Sequence, residues 1–451
     1  MIKLFFAQAL LAEGWARDVA VEVAPDGTFH SVEPNAVPAP DAARAAIAVP
    51  GMANVHSHAF QRGMAGLAER AGPAEDSFWT WREVMYGFLD RLTPDDVQAI
   101  AGQLYAEMLE AGFTAVGEFH YLHNDTDGRP YADPAELAER IVAAAAATGM
   151  ALTHLPVLYH QGSFGAAPPA PGQRRFVMDV EDLLELVRTL RARHPDLVVG
   201  AAPHSLRAVT PESLRRLVEA CTAGPLHIHA AEQEKEVLDC LAWSGRRPVR
   251  WLLDEVGLDG RWCLIHCTHL DDGEVRDLAA SGAVAGLCPV TEANLGDGIF
   301  RGVDYLGRGG RFGVGSDSHI RIDLADELRS LEYSQRLRDR RRNRLAAPGH
   351  SVGRTLLEKA LAGGAQALAQ NTGAIAVGRR ADIVTLDAGH PALVGRSGDA
   401  LLDGWIFAAR TAPVDTVRVG GRLVVEGGRH VAGEAVARRF ERTMRGLLAD
   451  A

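Results

Sequence analysis

Short apolar segments alternate with amphipathic segments through the middle of the chain, and this alternation predicts parallel β-strands separated by α-helices. The amphipathic segments have the periodicity of surface helices, for example at 93–111, 179–193 and 210–222, and Thr93-Pro94 is a typical helix start. Eight strands of this kind favour a (β/α)8 barrel over a doubly wound open sheet, because no glycine fingerprint follows any of them. The predicted barrel strands are 47–55, 113–119, 150–158, 197–203, 225–230, 262–267, 283–288 and 311–316.

The two ends of the chain have a different pattern, in which apolar and polar residues alternate one by one between glycine-rich turns. This pattern is typical of antiparallel hairpins. Neither end is long enough to form a stable pair of sheets alone, so we expect the two termini to form one domain together. The predicted fold class is α/β: a TIM-like (β/α)8 barrel at 49–372 and a small β-sandwich domain made from 1–48 and 373–451.

The composition is that of an ordinary globular protein, with 451 residues, of which 47% are hydrophobic and 23% charged. The net charge of -11 argues against a nucleic-acid-binding surface, which needs a basic face. One basic cluster, at 336–344, is interpreted as a solvated helix face or a subunit contact. The amino-terminal residues lack the features of an export signal, no segment is typical of a membrane span, and the five cysteines contain no CxxC pair. These features predict a cytoplasmic protein with reduced thiols.

Residues with metal-binding side chains stand at the ends of several predicted strands. His56 and His58 end the first strand, and His229, His266 and Asp317 occupy equivalent places on the fifth, sixth and eighth. Side chains alternate along a strand, so two histidines at positions i and i+2 both face the barrel interior. Buried imidazole and carboxylate groups at four strand ends are costly unless they meet around one cation. The sequence therefore predicts a metal site at the carboxyl-terminal mouth of the barrel.

The predicted metal ligands share this placement: His56, His58, His229 and Asp317. His227 forms a second i, i+2 pair with His229, and we favour His229 because it is nearer the end of its strand. Three imidazoles and one carboxylate suit Zn²⁺ or Fe²⁺ and leave a position for water. Two-metal hydrolases of this architecture need a bridging carboxylate, often a carboxylated lysine, near the fourth strand, but the segment PHSLRAV has no lysine. One divalent metal ion per chain is therefore predicted, with Zn²⁺ preferred and Fe²⁺ as the alternative, and His266 is assigned a catalytic role.

The ordered set of motifs resembles the amidohydrolase superfamily, and specifically its mononuclear deaminase branch. The resemblance covers nearly the whole chain and is carried, in order, by PGMANVHSH, HAAEQ, IHCTHL, CPVTEANLGDGIF, GVGSDSH and the carboxyl-terminal GAIAVGRRADIVTLD. Within the branch, the stretches HSHAFQRGMAGL, FWTWREVMYGF, GEFHYLH, PHSLRAV and TEANLGDGIFR are most similar to the formimidoylglutamate deiminases. The resemblance implies hydrolysis of N-formimidoyl-L-glutamate to N-formyl-L-glutamate and ammonia, a step of histidine degradation, by a homodimer.

The residues of the predicted site can be given roles in this reaction. A metal ion brings the pKa of a bound water down toward ~7, and Asp317 can accept the proton of that water. His266 can orient the resulting hydroxide and stabilise the tetrahedral intermediate. Glu232, three residues after His229 in HAAEQ, is placed to protonate the imine nitrogen and later the departing ammonia. Cys267 is rejected as a nucleophile, because strand alternation directs it to the face opposite His266.

A glutamate-derived substrate carries two carboxylates, so its pocket should contain arginines, whose guanidinium group matches a carboxylate bidentately. Arg82, in the long loop after the first strand, and Arg207, after the fourth, are the candidates. We interpret Glu292 and Asn294 as residues that bond loops around the mouth, without a catalytic role. The resemblance implies substrate contacts from Gln61, Arg82, Tyr121, His204 and Arg207.

Two other functions stay open at this point. A guanine deaminase, or a deaminase of another heterocycle, would use the same metal site, but it would recognise a planar ring through amide and aromatic groups instead of an arginine pair. A non-enzymatic scaffold of the dihydropyrimidinase-related type would lack metal ligands, whereas all four ligands and both proton-transfer candidates are present here. The deiminase is therefore the preferred function.

Overall fold

The computed structural model describes residues 1–72 and 76–449. Within these residues the strands are, in chain order, β1 (Ile2–Leu11), β2 (Gly14–Val23), β3 (Phe29–Glu33), β4 (Ala43–Pro50), β5 (Met52–Ser57), β6 (Phe113–His120), β7 (Ala151–Leu158), β8 (Val198–Val199), β9 (Ala202–Pro203), β10 (Leu226–Ala230), β11 (Trp262–His266), β12 (Val284–Leu287), β13 (Arg311–Val314), β14 (Ile383–Leu386), β15 (Val414–Val419), β16 (Arg422–Glu426) and β17 (Arg429–His430). The helices are α1 (Phe78–Leu89), α2 (Pro94–Glu110), α3 (Glu136–Thr148), α4 (Val180–Arg193), α5 (Pro211–Ala220), α6 (Glu234–Ser244), α7 (Pro248–Glu255), α8 (Asp272–Ser281), α9 (Pro289–Leu295), α10 (Gly302–Gly307), α11 (Leu324–Asp339), α12 (Val352–Ala367), α13 (Asp399–Ala408) and α14 (Gly433–Leu448), with 3₁₀ turns at Ala59–Met64 and Pro171–Gln173.

The middle of the chain forms a parallel barrel. Its strands pair in the order β10-β11-β12-β13-β5-β6-β7-β8, with β9 beside β7, and every one of these pairings is parallel. The short strands β8 and β9 together form the fourth barrel strand. Parallel bridges from Ala201 to Leu226 and from Ser205 to His229 join this strand to β10, so the sheet closes on itself. The predicted (β/α)8 barrel is confirmed.

The two termini form a second β-domain, as predicted. Its eight strands belong to one hydrogen-bonded sheet with the order β17-β16-β15-β14-β4-β1-β2-β3. All of its neighbours are antiparallel except β1 and β4, which run parallel. Its core is a separate apolar cluster that includes Phe6, Val21 and Phe29 from the amino terminus and Ile375 and Ile383 from the returning segment. Residues from both ends of the chain therefore bury one common face.

The first predicted barrel strand, 47–55, is wrong in one respect, because the structure divides this apolar run into two strands. The first part is β4, which pairs with β1 and β14 in the terminal sheet, and the second is β5, which enters the barrel. Gly51 stands between them, and a β-carbon there would lie 2.3 Å from the Thr114 side chain. The chain can therefore pass from one sheet to the other only with glycine at this position, a constraint that apolar periodicity does not reveal.

The predicted helices at 93–111, 179–193 and 210–222 correspond to α2, α4 and α5. Helix α2 begins with a reciprocal cap, in which the Thr93 hydroxyl accepts from the Asp96 amide and the Asp96 carboxylate accepts from the Thr93 amide. Such caps satisfy amide groups that the first turn of a helix leaves free. None of the described helices combines the length and the apolar composition that crossing a membrane requires.

Candidate active site

Four side chains meet at the carboxyl-terminal mouth of the barrel. His56 and His58 come from β5 and the residue after it, His229 from β10, and Asp317 from the turn after β13. The Nε2 atoms of His56 and His229 lie 3.0 Å apart, and Asp317 Oδ1 lies 3.4 Å from the Nε2 atoms of both His56 and His58. The structure therefore brings the four predicted metal ligands together.

Backbone carbonyls fix the orientation of two of these imidazoles. His58 Nδ1 donates to the Phe119 carbonyl at 2.9 Å, and His229 Nδ1 donates to the His204 carbonyl at 3.0 Å. With the proton on Nδ1, each Nε2 carries a lone pair that points into the cluster, which is how neighbouring groups usually prepare histidine for a metal. Burial, reinforced by the neighbouring imidazoles, lowers the pKa of His56 and His229 well below the usual value. Neutral imidazoles with converging lone pairs fit a divalent cation.

The turns that carry these groups hold non-glycine residues in left-handed backbone conformations. The φ angles are +53° at Ala231, +70° at His266, +51° at Cys267, +46° at Asp317 and +57° at His319. Each such residue destabilises the folded state by on the order of 1–3 kcal/mol, and such residues are concentrated at functional sites. The backbone of this barrel is therefore strained where its polar side chains turn into the mouth.

A directed chain of hydrogen bonds lies behind the metal ligands and joins β5 to the turn after β13. Asn54 Nδ2 donates to Ser316 Oγ at 2.6 Å, and Ser316 Oγ lies 2.9 Å from Nδ1 of His319. The other ring nitrogen of His319 lies 3.1 Å from Ser57 Oγ. Ser57 in turn donates to a carboxylate oxygen of Glu118 at 2.6 Å. These bonds fix the first barrel strand, which supplies His56 and His58, relative to the turn after the last barrel strand, which supplies Asp317.

Glu118 accepts the last of these hydrogen bonds, and it was not predicted as a site residue from the sequence. It is fully buried on β6 and accepts from Ser57, from the Ala59 amide at 2.7 Å and from the Tyr105 hydroxyl at 3.1 Å. Burial raises the pKa of the Glu118 carboxyl to about 7 against the opposing effect of these bonds. A glutamate within the strand-like segment FTAVGEFH was the available signal, because an acid in a buried strand needs partners.

His266 lies among three carboxylates. Its Nε2 is 3.7 Å from Glu232 Oε1 and 3.8 Å from Asp317 Oδ2, and its Nδ1 is 3.3 Å from Glu292 Oε1. Burial opposes the charged form, but Glu232, the bond to Glu292 and Asp317 outweigh it and raise the pKa of His266 to about 10. Glu292 also accepts from the Cys288 amide at 2.8 Å. Glu292 therefore bonds the loop around the mouth, as expected, and it also orients His266, a contact that the sequence did not predict.

Glu232 follows β10 and faces both His266 and Arg207. The Oε2 atom of Glu232 lies 3.5 Å from Nη2 of Arg207, and the backbone amide of Glu232 donates to the Glu236 carboxylate at 3.1 Å. Burial raises the pKa of the Glu232 carboxyl, while the charges of His266 and Arg207 act in the opposite direction. A buried carboxyl group with a raised pKa keeps its proton to higher pH than an exposed one, which favours a role as general acid.

Three of the four predicted metal ligands, His58, His229 and Asp317, line a cavity at the mouth of the barrel. All five predicted substrate contacts line this cavity together with Glu232, His266 and Asp317: Gln61, Arg82, Tyr121, His204 and Arg207. Gln61 donates to the Tyr121 hydroxyl at 2.9 Å. The Arg82 guanidinium lies 5.1 Å from the centre of the Trp79 ring and 5.4 Å from that of Tyr86, whereas Arg207 is only 7% exposed. One cavity therefore contains both arginines and the proton-transfer residues.

Three residues discussed from the sequence lie outside the site. His227 shares the interior face of β10 with His229 but lies nearer the start of the strand, where its Nε2 donates to the Ala367 carbonyl at 2.8 Å. The Cys267 thiol is buried and directed to the Leu264 carbonyl at 3.6 Å. Asn294 donates to Glu69 at 2.8 Å near the surface.

Comparison with known proteins identifies the relatives of this chain. The Amidohydrolase family model matches residues 47–424, and the model for the N-terminal domain of formimidoylglutamate deiminase HutF matches residues 1–46. The chain is 55% identical over 453 aligned residues to formimidoylglutamate deiminase of Pseudomonas aeruginosa, with 99% of this chain and 100% of the relative covered. A crystal structure of an amidohydrolase from Brucella melitensis matches with a TM-score of 0.95 at 51% identity, covering 99% of this chain and 100% of that one. An adenosine deaminase from Xanthomonas campestris with bound zinc shares the fold, with a TM-score of 0.78 at 22% identity over 99% and 98% of the two chains.

Proposed function

The chain belongs to the amidohydrolase family, and we propose that it hydrolyses N-formimidoyl-L-glutamate to N-formyl-L-glutamate and ammonia, a step of histidine degradation. The observation that carries this proposal is the contact between Glu232 and Arg207, 3.5 Å apart in one cavity with the metal-ligand cluster. A proton donor and a fixed cation side by side suit a substrate whose amidine and carboxylate are themselves close together. A planar purine carries no carboxylate for such an arginine.

One divalent cation per chain, Zn²⁺ as the first choice, would be held by His56, His58, His229 and Asp317. This cation, when bound, lowers the pKa of water so that hydroxide is available near neutral pH. The converging lone pairs of the imidazoles and the adjacent carboxylate supply the donor set that Zn²⁺ and Fe²⁺ prefer. We also propose, from the family resemblance, that the enzyme is a homodimer of the cytoplasm.

The proton transfers fall to three residues. Asp317 Oδ2, directed toward His266, accepts the proton of the attacking water. His266, held by Glu292, orients the attacking oxygen and stabilises its negative charge before it bonds to the formimidoyl carbon and again as the carbonyl forms. Glu232 donates its proton to the imine nitrogen, which becomes an amine. Glu232 then accepts the hydroxyl proton of the adduct and passes it to this amine, which leaves as ammonia. The proton held by Asp317 restores Glu232 through His266, which lies between the two carboxylates. The carbon–nitrogen bond to ammonia breaks, and a formamide on the glutamate nitrogen remains.

The two arginines take different carboxylates in this proposal. In the substrate, the α-carboxylate is separated from the formimidoyl group by only the nitrogen and Cα. Arg207, beside Glu232, is therefore assigned to the α-carboxylate, and the partly exposed Arg82 on α1 to the side-chain carboxylate. Tyr121 packs against His58, His204 packs against His229, and Gln61 donates to the Tyr121 hydroxyl, so these three residues are assigned to the body of the substrate.

The test is ammonia release from N-formimidoyl-L-glutamate by purified protein whose metal content has been measured. We expect turnover with about one metal ion per chain, loss of turnover after chelation, and recovery when Zn²⁺ is returned. Guanine and adenosine, offered to the same preparation, should release no ammonia. Fully metallated protein that deaminates guanine and leaves N-formimidoyl-L-glutamate intact would overturn the proposal.

A further inference from the structure

A buried carboxyl group that the proposed chemistry does not use lies next to the active site. Asp297 is 4% exposed and stands in the turn after α9, between Gly296 and Gly298. Gly298 has a φ of +130°, and a β-carbon there would lie 3.2 Å from the ring of His269. The turn is therefore packed closely against the segment that follows β11.

Asp297 connects the segments that follow three neighbouring strands. Its Oδ1 accepts a hydrogen bond from Nε2 of Gln233, the residue after Glu232. Its backbone amide donates to the Glu292 carbonyl at 2.9 Å, and its backbone carbonyl accepts from His269 Nε2 at 2.8 Å. Asp297 thus joins the segments after β10 and β12, which carry Glu232 and Glu292, to the segment that directly follows His266 at the end of β11.

The turn that carries Glu232 is held from two sides. Glu236 accepts from the backbone amides of Ala231 and Glu232, at 3.2 Å and 3.1 Å. Asp297 holds the following side chain, Gln233, from the opposite loop. Ala231 has a left-handed φ of +53°, so this turn is strained and would relax without such contacts.

The surroundings of Asp297 favour an uncharged side chain. Its Oδ2 is buried and has no hydrogen-bond partner within residues 1–72 and 76–449. The titratable groups that face it are Glu232 and Glu292, which are acidic, and His266 and His269. An ionised carboxylate in this place would have one oxygen without a donor and two acidic neighbours, which is costly.

We propose that Asp297 is a positioning residue for the proton donor: in its protonated form it holds Gln233, and through it the Glu232 carboxyl, at the distance needed for transfer. This inference rests on the proposed function, in which Glu232 is the donor. Burial first, and then the charge of Glu232, raise the pKa of Asp297 to about 9, although His266 and the Gln233 bond oppose this. At higher pH the ionised group places a second negative charge beside Glu232, so turnover falls.

The experiment compares Asp297→Asn and Asp297→Ala with the metal-loaded wild type, using ammonia release from neutral pH to about pH 10. Asparagine keeps the acceptor oxygen for Gln233 and matches the neutral acid. We expect this variant to keep kcat within about threefold at neutral pH and to show a smaller alkaline fall of kcat than the wild type, because the part of the fall that Asp297 causes is removed. Alanine should lower kcat by about 10- to 100-fold with KM nearly unchanged, since the loss of a supporting partner has effects of this size. Metal content should be the same in all three proteins.

A second variant keeps the inference falsifiable if Asp297→Ala folds poorly. Gln233→Ala should lower kcat by the same factor as Asp297→Ala, and the double variant should lose no more than either single variant, because one contact is removed in each case. An unchanged kcat in Gln233→Ala, or an Asp297→Asn profile with the wild-type alkaline fall, overturns the positioning role.

A measurement without turnover separates this inference from the proposed function. The folded carboxyl keeps its proton up to about pH 9, whereas the unfolded one loses it near pH 3.8, so wild-type stability decreases with rising pH between these values. Urea unfolding should show a flatter profile for Asp297→Asn. An inactive wild type that shows this difference rejects the proposed function and supports the neutral Asp297, while identical profiles overturn the inference.

Discussion

Replacing Arg207 with methionine tests the recognition of the α-carboxylate most directly. Arg207 is 7% exposed, and its guanidinium lies 3.5 Å from Glu232 and 5.6–5.9 Å from the ring centres of Trp79 and Phe78. Methionine fills most of the volume of the arginine stem and removes the charge and the hydrogen-bond donors. The substitution therefore perturbs the electrostatics of the cavity more than its packing.

The expected loss has two parts. The first part is the lost pairing between Arg207 and the substrate α-carboxylate. Removing one partner of such a buried charge pair costs about 2–5 kcal/mol of interaction free energy, which corresponds to about 30- to 5000-fold in kcat/KM. The second part acts on Glu232, because the Arg207 charge opposes the rise that burial causes in the pKa of this carboxyl. Without Arg207, Glu232 holds its proton more tightly and transfers it less readily to every substrate alike.

Three substrates separate these two parts. Kinetics of ammonia release would be compared for N-formimidoyl-L-glutamate, for N-formimidoyl-4-aminobutyrate, which lacks the α-carboxylate, and for N-formimidoylpropylamine, which lacks both carboxylates. Arg207→Met should show the full loss of kcat/KM only with the first substrate, and the smaller Glu232 effect with the other two. Arg82→Met is the matched control, and its loss should disappear only with substrates that lack the side-chain carboxylate.

An Arg207→Met enzyme that loses the same factor with all three substrates would refute the assignment. The arginine would then act on Glu232 alone, and the α-carboxylate would be bound elsewhere. An unchanged kcat/KM for N-formimidoyl-L-glutamate would remove Arg207 from the site altogether. If Arg207→Met lost kcat/KM equally with both substrates that have a side-chain carboxylate, Arg207 would bind that carboxylate and Arg82 would bind the α-carboxylate.

Three further substitutions probe the proton donor, the buried acid and the thiol. Glu232→Gln should keep the metal, measured by elemental analysis, but lower kcat by about 10²- to 10⁴-fold, and wild-type turnover would exclude a proton-transfer role. Glu118→Gln should flatten the decrease in unfolding free energy between about pH 4.5 and pH 7, where the folded carboxyl still keeps the proton that the unfolded one has lost. Urea unfolding at several pH values measures this, and a slope equal to that of the wild type would contradict it. Cys267→Ser should change kcat less than about threefold, since the thiol faces the Leu264 carbonyl, whereas complete inactivation would reopen the nucleophile hypothesis.

The barrel and the positions of its metal-ligand residues could be predicted because both depend on local periodicity. Apolar runs of strand length marked the eight barrel strands, and i, i+2 spacing placed His56 and His58 on one face. The boundary at Gly51 was missed, because the pattern of apolar residues continues through it while the chain changes sheets. Periodicity reports which face of an element is buried, and it does not report which sheet buries it.

The supporting contacts could not be predicted for a different physical reason. Glu118 bonds Ser57, Glu292 bonds His266, and Asp297 bonds Gln233, and each pair joins segments that are distant in the chain. The turn that carries Glu232 and Gln233 also contains left-handed backbone at Ala231, a conformation that alanine rarely adopts. The sequence contained the acidic residues, but only the folded loops decide which partner each one reaches.

The hydrogen bond between Asn54 and Ser316 joins two residues that are 262 positions apart in the chain, beside the first and last of the metal ligands. At typical ribosomal rates of about 5–20 residues per second, His56 and His58 are made roughly 13 to 50 seconds before Asp317. During translation, therefore, the growing chain offers a cation only two or three histidines on an open, unclosed sheet, where exchange is easy. The complete set of four ligands exists only after the last strand has docked, so the finished fold selects the metal and the nascent chain does not.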